Sequence, residues 1–197
     1  MRPINLEITE VVEEGDGIKT LLFDRSFDVS AGEFGMFWVR GVDEIPMSLS
    51  YSNGITVRGV GETTDAMLEM EKGDEMGMRG PYGSTFDVPE DGEMVIVGGG
   101  TGMAPVALLT EEAARNGVEV TTLIGAKTAD ELVFEERLSE VANANVEVAT
   151  EDGTKGHEGF VTELLDGYEN ADYIASCGPE PMMAKVLERY DARPADV

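Results

Sequence analysis

Residues 94–105 read Met-Val-Ile-Val-Gly-Gly-Gly-Thr-Gly-Met-Ala-Pro, and no other stretch constrains the fold of this chain so tightly. An apolar, strand-like run ends at Gly98, Gly99, Gly100, Thr101 and Gly102, and a helical pattern begins near Val106. A strand feeding a glycine turn at a helix N-terminus gathers bare backbone amides and the positive end of the helix dipole at one point. Glycine lets a diphosphate approach such a backbone closely, and Pro105 suits the first helical turn. The pattern predicts a dinucleotide phosphate site, although glycine turns also serve simply to close helices onto sheets.

Counted from Gly98 the spacing is G-x-G-x-G, not the G-x-G-x-x-G of a classical Rossmann unit. The classical unit also carries an Asp or Glu near the end of its second strand to hold the ribose. Here the second strand, Val120 to Ile124, runs into Gly125-Ala126-Lys127 and offers no acid.

The rest of the chain divides at residues 88–92. Before it, six short apolar runs read as strands: 4–12, 18–23, 34–39, 47–51, 55–60 and 75–79, with one helix over 64–71. Turn signals punctuate them, among them Asn53-Gly54, a good two-residue hairpin turn. This grammar predicts an antiparallel β-barrel domain over residues 1–88. After Pro89, strands at 94–97, 120–124, 146–149 and 173–176 alternate with helices at 106–116, 132–142, 161–165 and 181–190. Alternation of that kind predicts a parallel-sheet α/β domain over residues 89–197.

Charge and cysteine content narrow the function classes. The net charge of −26 is spread over all segments of the 197 residues, which reads as a solvating surface suited to concentrated salt. Nucleic acid and anionic membranes would be repelled. No run is long and apolar enough to span a bilayer and no leader pattern opens the chain, so a soluble, cytoplasmic protein is expected. A single cysteine, Cys177, leaves no internal disulfide and no cysteine-built metal site; the lone His157 reads as a surface residue, and no metal is expected.

A β-barrel followed by an α/β unit with a G-x-G-x-G turn resembles the ferredoxin-reductase superfamily. Four further motifs carry the likeness: Pro46-Met47-Ser48-Leu49-Ser50, Val60-Gly61-Glu62-Thr63-Thr64, Gly80-Pro81-Tyr82-Gly83 and Cys177-Gly178-Pro179-Glu180-Pro181. The phrase Glu151-Asp152-Gly153-Thr154-Lys155-Gly156, followed by Gly159-Phe160-Val161-Thr162, is similar to the electron-transfer subunits of dihydroorotate dehydrogenase. The resemblance implies an FAD-dependent oxidoreductase that passes electrons between NAD(P) and a protein redox partner. By the same likeness that partner is the catalytic subunit of a dihydroorotate dehydrogenase, in pyrimidine biosynthesis.

Roles follow residue by residue from the likeness. Pro46, Met47, Ser48 and Leu49 stand on the flavin-contact strand, with the Ser48 hydroxyl at flavin N5; Gly61, Thr63 and Thr64 stand at the flavin diphosphate, and Gly80 at the hinge leaving the barrel. Gly98 to Gly102 hold the nicotinamide dinucleotide, while Cys177, Gly178 and Pro179 line the nicotinamide pocket. Thr63 and Thr64 also read as plain helix caps, Ser48 as a solvent-facing strand serine and Cys177 as a small buried hydrophobe.

Departures from the family pattern matter as well. An arginine that pairs with flavin phosphate is replaced by Ile45, and an aromatic that stacks on flavin by Met47; Arg79 or backbone amides are left to compensate. The family's [2Fe–2S] cluster needs four cysteines, which this sequence does not contain. A stand-alone flavin or ferredoxin reductase, and a nucleotide-binding regulatory module, therefore stay open as readings. Pro194 ends the last helical pattern near the end of the sequence, where the sheet would want a further strand; a longer natural protein or a covering partner is the expectation.

Overall fold

The computed structural model describes residues 2–191. Six antiparallel strands close a barrel in the order β1-β2-β5-β4-β3-β6: β1 Ile4–Gly15, β2 Ile18–Phe23, β3 Phe34–Trp38, β4 Glu44–Tyr51, β5 Gly54–Arg58 and β6 Glu75–Tyr82. Alternate residues of these strands point inward, so Leu6, Ile8, Leu21, Leu49, Ile55, Val57, Met76 and Met78 fill the barrel. Phe23 and Phe37 stack inside it with ring centroids 5.8 Å apart. Helix α1, Glu62–Leu68, adds the fully buried Met67 to this core.

Beyond the barrel, five parallel strands form a sheet in the order β10-β9-β8-β7-β11. They are β7 Glu93–Gly99, β8 Glu119–Ala126, β9 Ala144–Thr150, β10 His157–Glu158 and β11 Tyr173–Cys177. Helix α2, Met103–Arg115, covers one face; the 3-10 turn Val161–Gly167 and the last helix, Glu180–Asp191, cover the other. Period-two alternation sorts the side chains of β7: Met94 and Ile96 join the α2 face, Val95 and Val97 the opposite one. The barrel interior and the α2 face of the sheet belong to one continuous apolar core.

Barrel and sheet are joined by polar contacts that only the fold assembles. Arg137, on the short helix α3 (Glu135–Ser139), donates to the Ser50 carbonyl at 2.8 Å and to Glu111 of α2 at 2.7 Å. Its guanidinium also lies 3.8 Å from the centre of the Tyr51 ring. Glu112 of α2 accepts the Ala31 amide at 3.0 Å, and its burial holds the carboxyl above the usual carboxylate range. On the barrel wall a buried hydroxyl chain runs from Glu14 through Thr20 and Thr56 to Ser50, with steps of 2.6, 2.7 and 2.8 Å.

Some elements differ from expectation. The helix expected over 132–142 shrinks to Glu135–Ser139 because Leu132 is extended and Phe134 adopts φ 66, turning Val133 and Phe134 into the core. The segment expected to be helical at 161–165 is a 3-10 turn. Strand β5 stops at Arg58 and not Val60, which is 79% exposed. Gly80 lies within β6, where the pairing with β3 shifts register, so the strand runs on past the expected hinge. The two-residue strand β10, which contains His157, was not expected.

The Arg137 contacts predict a measurable cost. Replacing Arg137 with alanine should lower unfolding free energy by about 2 kcal/mol, since it leaves the Ser50 carbonyl and Glu111 unpaired and bares the Tyr51 ring. Urea unfolding at fixed salt measures it; a loss below about 0.5 kcal/mol would show an ordinary solvated surface pair.

Candidate active site

The sheet changes direction at β7. From it the chain steps outward through β8 to β9 and β10, and then returns to lay β11 on the other side. In parallel sheets ligands bind at such a switch point, beyond the carboxyl ends of the strands. Here Gly98 pairs with Cys177, and the 3-10 turn Gly100–Gly102 carries the chain from β7 into α2. The structure thus brings Gly98, Gly99, Gly100, Thr101, Gly102, Cys177, Gly178 and Pro179 together.

The glycines of this turn do different work. A Cβ at Gly102 would overlap the Cys177 carbonyl and the Gly178 backbone, and one at Gly98 would overlap the Met103 sulfur. Gly100 is the opposite case: it has φ 56 and nothing within 4 Å of where a Cβ would stand. Gly102 is therefore required by close packing, whereas Gly100 is required by its backbone conformation and faces open space. The N-terminus of α2 has no side-chain cap and no acid in its first turn, and its Met103 amide bonds back to the Gly100 and Thr101 carbonyls, so the 3-10 turn extends the helix start toward Gly100.

A cleft of about 380 Å³ opens beside Gly99 and Gly100. Its walls come from the end of β8 (Gly125, Ala126, Lys127), from Glu151 after β9, from Phe160 and from Pro179, Met182 and Lys185. The barrel reaches the same cleft through Arg58, which pairs with Glu131 at 2.8 Å. Lys185 sits 4.6 Å from the centre of the Phe160 ring. On its other side the glycine turn abuts the barrel wall at Ile18 and Thr56. Cys177 packs with Ala175 on the α2 face, and burial pushes its thiol pKa up, so the thiol stays neutral at neutral pH.

The remaining expected residues lie on the barrel. Ser48 pairs with Phe34 across β3 and β4, half-buried, and its hydroxyl has no hydrogen-bond partner among the described residues. Pro46 is exposed, Met47 is half-buried against the core, and Leu49 is fully buried inside the barrel. Thr64 is a cap: its hydroxyl accepts from the Val60 and Gly61 amides at 2.9 and 3.0 Å and donates to the Gly61 carbonyl. Thr63 is buried beside it, and the carboxylates of Glu62 and Asp65 stand in the same first turn. Arg79 is committed to Glu44 through two hydrogen bonds of 2.7 and 2.5 Å, which hold the Glu44 carboxyl below its ordinary range. It is not a free cation for a phosphate. Among the described residues no side-chain hydrogen bond or ion pair joins Ser48, Gly61, Thr63, Thr64 or Gly80 to the cluster around Gly98 and Cys177.

Arg58, Glu131, Glu151 and Lys185 were missed as site residues. Their positions in sequence carry no spacing signal, because four separate segments of the chain bring them to one cleft.

Comparison with known proteins agrees with this geometry. Residues 96–188 match the model of the oxidoreductase NAD-binding domain. The chain is 45% identical over 195 residues to the "Probable dihydroorotate dehydrogenase B (NAD(+)), electron transfer subunit" of Methanocella arvoryzae, covering 97% of this chain and 74% of that protein. The chain belongs to the family of dihydroorotate dehydrogenase B electron-transfer subunits. The family member from Methanocaldococcus jannaschii is 42% identical over 190 residues, with 95% and 73% covered. Among solved structures, an NADH-dependent reduced ferredoxin-NADP oxidoreductase superposes with TM-score 0.85 at 24% identity, covering 94% of this chain and 72% of its own. A ferredoxin-NADP+ reductase from Plasmodium falciparum gives 0.80 at 13%, with 98% and 92% covered. These two likenesses show the fold, a closed antiparallel barrel joined to a parallel sheet with helices.

The two glycines should separate in mutagenesis. Gly102→Ala is expected to cost about 3 kcal/mol or more through overpacking, and Gly100→Asp only about 1 kcal/mol, because Asp tolerates the left-handed region. Thermal unfolding of both variants tests this; equal losses would contradict the division of roles.

Proposed function

We propose that the protein is the FAD-dependent electron-transfer component of a dihydroorotate dehydrogenase, exchanging electrons with NAD in the cleft beside Gly99 and Gly100. The observation that carries this reading is the cleft itself. It lies at the switch point of the sheet, is floored by glycine backbone at an uncapped helix start, and is shared with the barrel through Arg58. The relatives are named for NAD(+), which supports NAD over NADP. The domains divide near residue 88, with the flavin on the barrel and the dinucleotide on the α/β unit.

In this reading the amides of Gly99, Gly100 and Thr101 bind the dinucleotide diphosphate. Cys177, neutral and packed on the α2 face of the sheet, shapes the nicotinamide pocket with Gly178 and Pro179 and forms no bond. The Ser48 hydroxyl, free of protein partners, donates a hydrogen bond at the flavin ring beside Pro46 and Met47, whereas the Leu49 side chain is turned into the barrel core and does not reach the flavin. Thr63 and Thr64 hold the flavin diphosphate through backbone amides and Gly61 leaves its approach open, since Ile45 brings no charge, Arg79 is spent on Glu44 and the Thr64 hydroxyl is taken up by the turn, the Gly61 amide included. Bound FAD supplies the chemistry of taking up hydride and releasing electrons singly. The residues present do not fit a four-thiolate cluster, since Cys177 is the one cysteine of the sequence. The electron partner is a dihydroorotate dehydrogenase catalytic subunit, and the setting is cytoplasmic. No helix among the described residues is long and apolar enough to cross a membrane. The acidic surface supports a salt-adapted protein, which should be more stable in molar salt than in dilute buffer.

The purified protein should show the absorption bands of oxidised flavin, and Gly100→Asp should retain them while losing NADH binding. A protein that stays colourless after incubation with FAD, or a Gly100→Asp variant that binds NADH as tightly as the parent, would overturn the reading.

A further inference from the structure

One thioether closes the wall of the cleft beside the glycine turn. Met182 sits in the first turn of the last helix, where the Pro179 carbonyl accepts its amide at 2.9 Å. Its sulfur lies 2.9 Å from where a Cβ on Gly99 would stand, and its methyl carbon 2.7 Å from the same point on Gly178. The side chain thus spans the end of β7 and the bend after β11, with its sulfur against the glycine turn. It is half-buried and, among the described residues, is the one methionine that lines the cleft. Two other sulfurs lie near the turn, and both are protected. Met103 packs its sulfur on Gly98 and is only 1% exposed. Burial pushes the Cys177 thiol pKa up, so the thiolate that reacts with peroxides is scarce at neutral pH.

We propose that Met182 is an oxidation site through which hydrogen peroxide closes the cleft to a dinucleotide. The inference rests on the dinucleotide reading of the cleft. In the step a sulfur lone pair attacks one peroxide oxygen, the O–O bond breaks, and the second oxygen leaves as water. Sulfur loses two electrons and the peroxide gains them. The thioether is apolar filler and a weak acceptor, whereas the sulfoxide is polar and carries an added oxygen. On the cleft side that oxygen lies over Gly99 and Gly100, in the seat of the diphosphate, where its partial negative charge opposes phosphate. On the inner side it meets the Gly178 backbone, already in contact with the methyl group, and pushes Pro179 and the start of the last helix off the turn. Either epimer spoils the seat, and reduction back to the thioether restores it.

The test treats the purified full chain with hydrogen peroxide and titrates it calorimetrically with ADP-ribose before and after. Peptide mass spectrometry follows oxidation residue by residue. Binding should weaken about tenfold in step with one added oxygen on Met182, and methionine sulfoxide reductases should restore it. Met182→Leu should keep its own starting affinity within about twofold through the same treatment, whereas Met183→Leu should lose affinity as the parent does. Met182→Gln, which sets an amide oxygen in the same place, should bind about tenfold more weakly than Met182→Leu before any peroxide is added. Four results would each overturn the inference and leave the dinucleotide reading standing. They are unchanged binding once Met182 is oxidised, a Met182→Leu variant as sensitive as the parent, a loss that follows oxidation of Cys177 instead, and a Met182 left unmodified while the half-buried Met36 and Met70 are oxidised. Failure of the untreated parent to bind ADP-ribose would overturn both.

Discussion

The turn from β7 into α2 lies so close against the end of β11 that no side chain fits at Gly102, while Met103 of α2 fills the space at Gly98. That contact locks the first strand of the sheet to the last one and fixes the point where the strand order reverses. The cleft follows from it. Because the turn is pressed onto the Cys177 and Gly178 backbone, its open side at Gly100 faces the ends of β8 and β9, and the uncapped start of α2 sits behind it. Packing and ligand approach, the two common uses of glycine in such a turn, are divided here between different residues of one motif.

The second constraint is the junction of barrel and sheet. A continuous apolar core runs through it, so α2 serves both units at once. Around that core the polar contacts are specific: Arg137 to the Ser50 carbonyl and Glu111, Glu112 to the Ala31 amide, Arg58 to Glu131. Partly buried pairs of this kind contribute modest net stability, but each is costly to break from one side, and together they select one arrangement of the two units. Electron exchange across a domain boundary requires that arrangement to be held, since small displacements of reacting groups are expensive.

Much of this was legible in the sequence because it is local. Period-two alternation and turn residues gave the barrel strands, and the alternation of strand and helix gave the parallel sheet. The glycine turn and the cysteine opposite it could be placed because both lie at strand ends. Non-local features were not legible. Leu132, Val133 and Phe134 have a helical pattern, yet contact with the barrel pulls them out of the helix and into the core. Arg79 could be noticed as a spare cation only while its cross-strand partner Glu44 was unknown. Glu151 and Asp152 are indistinguishable in sequence; the turn that claims Asp152 through Thr154 is what leaves Glu151 to the cleft.

The central claim is that the cleft delivers reducing equivalents from a nicotinamide dinucleotide to a flavin held by the same chain. Anaerobic mixing of the FAD-loaded protein with NADH, followed by stopped-flow absorbance in the blue, tests it most directly. The account predicts rapid bleaching of the oxidised flavin, saturating with NADH concentration, with no other protein present. Flavin that stays oxidised under excess NADH, although both molecules are bound, would contradict it.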